Sequence, residues 1–308
     1  MGNEPNARMN PPSVDPNQLK RDVKTYWEAE PCNTRYSGAP GRLQFFRELE
    51  RARYAAEPNI LDLADFRSAR GRRVLEIGVG AGVDFCQWVR HGARAVGVDL
   101  TERGLSLTRE YLELTCDTPS CPSLLRADAE HLPFKSDSFD VVYAYGVLHH
   151  TPDTLSAFRE AFRVLRPGGE FKCMVYHSPS WTALNLWLYH ALLKLRPWKT
   201  FQQVIFENLE SPGTKVYTVG EARRLMSVAG ANSCKVRLYL DSGDLLRLKL
   251  GRKYEGNRWV KAAVRLYPRR LVRWLDGRNT RFGTTMHIEA TKEHFNLDES
   301  HERRRDRS

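Results

Sequence analysis

A doubly wound α/β domain, with a mostly parallel sheet of seven strands and helices on both faces, is the fold that this 308-residue chain predicts. Three observations carry the expectation. Short apolar runs of strand length alternate with amphipathic segments of helix length, the pattern of crossover units around a parallel sheet. The first run ends in a cluster of three glycines and the second in an acid. The length suits one sizeable core with added elements better than two full domains.

Residues 73–77 form the first strand and residues 95–99 the second. Residues 124–127 are a short third, 140–144 the fourth and 170–176 the fifth, which follows the turn Arg166-Pro167-Gly168-Gly169. Residues 235–240 and 285–290 complete the seven. Apolar positions three and four apart place helices at 85–91, 104–114 and 154–165. Two segments fall outside the alternation: residues 181–195 are a strongly apolar helical run and residues 258–276 a basic one. Both belong near the carboxyl edge of the sheet, where open α/β sheets bind ligands, so both are placed to shape a pocket. The resulting organisation is a disordered start (1–17), a helical cap (18–71), the α/β domain (72–297) with inserts at 178–233 and 241–283, and a disordered basic tail (298–308).

The net charge of +11 is concentrated. Residues 245–283 hold twelve Lys or Arg against Glu255 and Asp276, and the rest of the chain is close to balanced. Such a stretch suits an anionic membrane surface or nucleic acid, and equally a solvated helix face. No run approaches eighteen apolar residues, and the polar start is no secretory leader, which places the chain in the cytoplasm. The six cysteines lack C-x-x-C pairs and read as reduced thiols, with no metal site.

The chemistry is concentrated in the loops after the strands. Glu76-Ile77-Gly78-Val79-Gly80-Ala81-Gly82 puts three glycines two apart, so the backbone can turn sharply and approach a ligand without a Cβ in the way. A dinucleotide fingerprint would need its third glycine where Val83 stands. Asp99, at the end of the second strand, can accept two ribose hydroxyls, or cap a helix. After the third strand come Asp128-Ala129-Glu130-His131-Leu132-Pro133-Phe134 and then Ser138-Phe139-Asp140-Val141-Val142. An acid there can take an adenine amino group, the Ala129 amide can face ring N1, and Leu132 can pack the ring.

These motifs, with Gly146-Val147-Leu148-His149-His150 and Leu165-Arg166-Pro167-Gly168-Gly169 in the same order, resemble class I S-adenosylmethionine-dependent methyltransferases over about residues 72–176. The nearest pattern is the subgroup that includes ubiquinone and menaquinone C-methyltransferases. The resemblance implies a Rossmann-like domain with S-adenosyl-L-methionine as cofactor, held by Glu76, Gly78, Gly80, Gly82, Asp99, Leu100, Asp128, Ala129, Leu132 and Tyr145. His149 and His150 lie where it puts the sulfonium methyl, so either can deprotonate or orient the acceptor, or simply pack. Tyr176 and His177, ending the fifth strand, are expected in the substrate pocket. Tyr26-Trp27 and the stretch from Pro31 to Tyr36 suit a lid over the cofactor, or ordinary helix packing.

The resemblance is silent on the acceptor. A small molecule of lipid, quinone-like or natural-product type is the leading expectation, with residues 181–195 lining an apolar tunnel and the region from Arg258 to Arg281 touching an anionic membrane. An RNA methyltransferase is the alternative, although Ala144-Tyr145-Gly146-Val147 lacks an Asn-Pro-Pro-Tyr-like element and weighs against nucleic-acid bases. A non-catalytic cofactor-binding scaffold subunit is a third possibility.

Overall fold

Val74, Leu75 and Ile77 are almost completely buried, so β1 (Arg73–Ile77) is covered on both faces, as the central strand of a parallel sheet must be. A computed structural model of the chain describes residues 14–31, 34, 41–116, 122–247, 257–276 and 280–293, apart from the side chains at 259 and 263. Around β1 lie β2 (Arg94–Asp99), β3 (Ser123–Arg126), β4 (Phe139–Tyr145) and β5 (Leu165–His177). These five pair in parallel, β5 also pairs in parallel with β6 (Val216–Tyr217) and antiparallel with β8 (Thr285–Lys292), and β8 pairs antiparallel with β7 (Ala231–Tyr239). The order is β3-β2-β1-β4-β5-β8-β7, with β6 beside β5. Successive strands are added to one side of β1 up to β3 and to its other side from β4, and in this architecture the ligand crevice opens at that switch point between β1 and β4.

Alternation along the strands sends side chains to two cores. Leu75, Ile77, Val142 and Ala144 pack with α6 (Thr154–Val164) and α9 (Val219–Ala229). Val74, Val141, Tyr143 and Tyr145 face the opposite layer. That layer holds α2 (Arg42–Ala56), α3 (Asn59–Ala64), α4 (Val83–Arg90) and α5 (Glu102–Thr115). The leading helices are tied in by charge. Arg53 of α2 donates from Nε and Nη2 to Asp84 of α4 at 3.0 and 2.5 Å, and the hydroxyls of Tyr54 and Tyr143 donate to the same carboxylate.

Several elements differ from the sequence reading. The sheet has an eighth strand, because Val216 and Tyr217 pair with Tyr176 and His177. The Arg166-Pro167-Gly168-Gly169 turn does not precede β5 but bulges within it, since Phe139 pairs with Leu165 and Val141 with Glu170. The 181–195 run is broken: α7 (Trp181–Trp187) loosens into a π-turn over Leu188–Leu192, and α8 (Phe201–Asn208) follows. The basic run is two helices, α10 (Arg258–Leu266) and α11 (Arg269–Asp276), split at Pro268, which has no amide hydrogen to continue a helix. The start expected to be disordered through residue 17 is helical from Pro16, where α1 (Pro16–Ala29) is capped by the Asp15 carboxylate. The remainder of that start and the basic tail lie outside the described residues, as do Cys32, Cys121 and most of the stretch between Pro31 and Tyr36.

The two inserts pack on each other. Asn185 Nδ2 donates to the Tyr267 hydroxyl at 3.0 Å, and Asn257 Nδ2 to that of Tyr189 at 3.1 Å. Buried Asp244 pins the turn after β7, accepting from the backbone and hydroxyl of both Thr182 and Thr284.

Candidate active site

A cavity of about 330 Å³ opens at the carboxyl ends of β1, β2 and β4 and runs on to the end of β5. The glycine turn forms one part of its wall. Gly78 and Gly80 hold positive φ angles of 79° and 53°, the left-handed region that favours glycine. A Cβ at Gly78 would stand 2.2 Å from Val147 Cγ2, whereas one at Gly80 would meet nothing. The turn therefore presents bare backbone to the cavity. Asp99 Oδ2 accepts from the Gly80 amide at 2.9 Å, and Oδ1 accepts from the Thr101 amide and hydroxyl at 2.9 and 2.6 Å. These bonds aim the carboxylate while leaving lone-pair capacity for hydroxyl donors.

Glu76 is buried against the same wall, and its Oε2 has no hydrogen-bond partner among the described residues. Burial, with Asp84 nearby, pushes its carboxyl well above the ordinary range. An uncompensated carboxyl here fits a ligand that brings an ammonium. Burial likewise raises Asp99, against the hydrogen bonds that favour its charged form. These features suit S-adenosylmethionine: a bare backbone turn for the methionine part, a carboxylate with spare capacity for the ribose, and an orphaned carboxyl for the amino group.

Of the residues singled out in the sequence, Glu76, Gly78, Gly80, Asp99, Leu100, Asp128, Ala129, Tyr145, His150 and Tyr176 all line this cavity. Four do not. Gly82 caps α4 with φ 80°, where a Cβ would come within 2.9 Å of Thr108, so it serves the turn. Leu132 is buried in the core beside β4 and α6. His149 is enclosed between the rings of His150 and Tyr176, at 4.2 and 4.5 Å, and both its ring nitrogens lack partners among the described residues. His177 is turned away and donates from Nδ1 to the Gly283 carbonyl at 3.0 Å. Residues 181–195 do not line it either, so the expected apolar tunnel is absent from the described wall.

Helix α1 crosses the cavity with Lys20, Val23, Lys24 and Trp27, the disposition of a lid. Trp27 meets the His150 ring edge to face at 5.4 Å. Lys20 Nζ bonds Asp128 Oδ2 and Glu130 Oε2 at 2.6 and 2.5 Å. Asp128, Glu130 and His131 have the spacing of metal ligands, but the Lys20 ammonium already bridges the two carboxylates.

The far half of the cavity has a different character. Arg53, Glu57, Tyr176, Glu210, Asp241 and Arg247 line it together with His150. Sequence reading missed all of these except Tyr176 and His150. The one available signal was Asp241-Ser242-Gly243-Asp244, a turn-forming cluster straight after a strand. Glu57 is pushed up to about 7 by burial, and Asp241 well above the ordinary range by burial and by Asp244.

Residues 75–173 match the family described as a methyltransferase domain. The chain shares 36% identity over 111 residues with the ubiquinone/menaquinone biosynthesis C-methyltransferase UbiE of Bartonella quintana, covering 34% of this chain and 42% of that protein. It shares 38% over 105 residues with the phthiotriol/phenolphthiotriol dimycocerosates methyltransferase of Mycobacterium tuberculosis, covering 33% of this chain and 36% of that one. The match thus spans less than half the length of either relative. The fold is similar to that of geranyl diphosphate C-methyltransferase from Streptomyces coelicolor, solved with Mg2+, geranyl diphosphate and S-adenosyl-L-homocysteine. The TM-score is 0.56 at 13% identity, over 92% of this chain and 100% of that one.

Proposed function

We propose that this chain is an S-adenosylmethionine-dependent methyltransferase acting on a small-molecule acceptor. The observation that carries the reading is the glycine turn of the methyltransferase domain, open at Gly80 and braced by Asp99, on the wall of a cavity that continues past it. S-adenosylmethionine supplies an activated methyl group, so the protein's own task is alignment and exclusion of water. Gly78 and Gly80 shape the seat of the methionine moiety. Asp99 takes the ribose hydroxyls, Glu76 answers the amino group, and Asp128, Ala129 and Leu100 bound the adenine. Tyr145 stands where the seat meets the far half, and α1 covers the whole.

The relatives named for quinone and lipid methylation support a small acceptor. The inserts support delivery at a membrane surface. Leu195, Leu266 and Trp274 are 81, 81 and 75% exposed, among arginines and lysines of the same two inserts. Exposed apolar side chains with flanking cations suit the interface of an anionic bilayer. No helix among the described residues is long and apolar enough to cross a membrane.

Isothermal calorimetry with S-adenosylmethionine and S-adenosylhomocysteine tests the base of the reading. Saturable binding that Asp99→Ala weakens at least ~10-fold is expected, on the scale of two lost charge-assisted hydrogen bonds. No binding at millimolar ligand would sink the assignment.

A further inference from the structure

The donor read into this seat is a zwitterion, and Glu76 answers only its ammonium. Its carboxylate needs a cation on the same wall, and among the described residues the lysines and arginines that line the cavity are Lys20, Lys24, Arg53 and Arg247. Two of them belong to α1, which is anchored over the nucleoside end: Lys20 bonds Asp128 and Glu130, and Glu28 accepts from the Glu102 and Arg103 amides that open α5. Lys24 lies between those anchors. Arg247 is exposed and lies beyond the turn that follows β7. Arg53 is fixed to the helix that the glycine turn runs into.

Its Nε and Nη2 hold Asp84 in the first turn of α4, shortly after Gly82. The same carboxylate accepts from Tyr143, the β4 residue in register with Glu76 on β1. The guanidinium carbon also lies 5.1 Å from the centre of the Tyr145 ring, at the border of the two halves of the cavity. The third nitrogen is unspent. Nη1 makes no hydrogen bond among the described residues, and Glu57 Oε2 faces it at 3.8 Å, an ion pair too long for a hydrogen bond. The Arg53 side chain is only 12% exposed, so N–H groups without an acceptor are costly there until a ligand meets them.

We propose that Arg53 Nη1 takes the α-carboxylate of the donor's methionine moiety, and that Glu57 is the internal carboxylate which the donor displaces from it. The inference rests on the methyltransferase reading and deepens it at the methionine end. Glu76 and Arg53 then offer opposite charges to the two ends of one amino acid, which selects against a donor or product that lacks either group. The role of Glu57 fixes a pH dependence. Arg53, Asp84, Tyr145, Tyr176, Glu210 and Asp241 are the charged and titratable groups around Glu57, and burial pushes its carboxyl up to about 7 in spite of Arg53. Below that pH Glu57 is neutral and leaves the guanidinium to the donor. Above it the ionised carboxylate competes for Nη1 and repels the incoming one, so this contribution to donor affinity falls as pH rises.

The test is calorimetry on the full chain with S-adenosylhomocysteine and with decarboxylated S-adenosylhomocysteine, which keeps the ammonium and loses only the carboxylate. The wild-type chain is expected to bind the decarboxylated ligand at least ~10-fold more weakly, the scale of one charge-assisted hydrogen bond. Arg53→Gln should shrink that gap to about threefold or less, whereas a merely structural role would weaken both ligands alike and keep the gap. Glu57→Gln installs a neutral isostere, so it should bind S-adenosylhomocysteine at least about threefold more tightly than wild type near pH 8 and equally near pH 6. The decarboxylated ligand should show no such gain. If Arg53→Gln does not fold, the wild-type gap and the Glu57→Gln comparison decide. Equal affinity of the wild-type chain for the two ligands, a gap that Arg53→Gln leaves intact, or no gain from Glu57→Gln near pH 8 overturns the proposal. A wild-type chain that binds neither ligand would instead overturn the methyltransferase reading beneath it.

Discussion

Lys20 Nζ lies 2.6 Å from Asp128 Oδ2, so the helix that crosses the cavity is latched to the carboxylate proposed for the adenine. Glu130 shares the same ammonium at 2.5 Å and also accepts from the Asp153 amide, which connects the latch to the start of α6. Burial of Lys20 disfavours its charge, but the bonds to Asp128 and Glu130 outweigh it and raise its pKa. About a quarter of the side chain remains exposed, so screening limits the latch to about 1 kcal/mol. Lys20→Ala should speed amide exchange across α1 about fivefold and leave α4 and α5 unchanged. Hydrogen exchange read by mass spectrometry checks it; equal protection of α1 in both proteins would show that Val23 and Trp27 hold the helix alone.

The pair beneath the lid is worth more. Asp84 and Arg53 are both largely buried, and Asp84 also accepts from two tyrosine hydroxyls. Arg53→Ala leaves that carboxylate, and Glu57 3.8 Å from the same guanidinium, without their cation. A loss of ~3–5 kcal/mol is expected, the range for breaking one side of a buried pair. Urea unfolding of the two proteins measures it, and a loss under ~1 kcal/mol would mean that the tyrosines or water compensate.

Much of the sheet was legible because its signals are local. The first strand was read with its observed bounds, since Val74, Leu75 and Ile77 form an apolar run stopped by Gly78. Asp99 was legible because an acid ending such a strand has few uses. What the sequence could not show is which of two adjacent rings faces a cavity: Leu148–His150 is a single tight turn, and it sends His149 into the core and His150 to the wall. The apolar run at 181–195 showed only that its residues avoid water in part. Whether they cover a tunnel or meet another phase depends on packing against α10 and α11, more than sixty residues away. Glu57 and Glu210 carry no motif and Asp241 only a turn signal, because only the fold brings the three together.

His149 predicts a pH effect of definite sign. Burial, followed by His150, holds its pKa well below 6.5, so below pH 6.5 the unfolded chain binds a proton that the folded chain refuses. Its unfavourable contribution is nil above pH 6.5 and grows by about 1.4 kcal/mol per pH unit as pH falls toward its folded value. Glu57 works the other way: with its pKa raised to about 7, its stabilising contribution is present below about 4.5 and lost as pH rises to 7. Both proteins keep Glu57, so His149→Phe isolates the histidine. The variant should gain stability over wild type on acidification from pH 6.5 to 5 and retain turnover at pH 7. Urea titrations at several pH values read the difference, and a gap that does not widen toward acid would show that His149 is not excluded from protons.

Helix α11 makes the sharpest statement about surroundings. Val272 and Asp276 are buried on one side, and the Arg269 guanidinium donates to the carbonyls of Leu245, Leu246 and Val264. Those contacts leave Leu271, Trp274 and Leu275 facing outward, three and four residues apart on one stripe, with Arg270 and Arg273 exposed beside them. An apolar stripe between cations is costly in water and suited to the headgroup region of an anionic bilayer. The full chain should therefore pellet with vesicles containing phosphatidylglycerol and far less with phosphatidylcholine alone, and salt should release it. Each basic residue near such a surface contributes about 1 kcal/mol, so Arg270→Glu should weaken binding at least about fivefold. Trp274→Ala should weaken it at any salt, because its contribution is apolar. Equal pelleting with both vesicle types, or preferential capture by RNA that Trp274→Ala leaves intact, would refute a lipid surface and make the stripe a site for another partner.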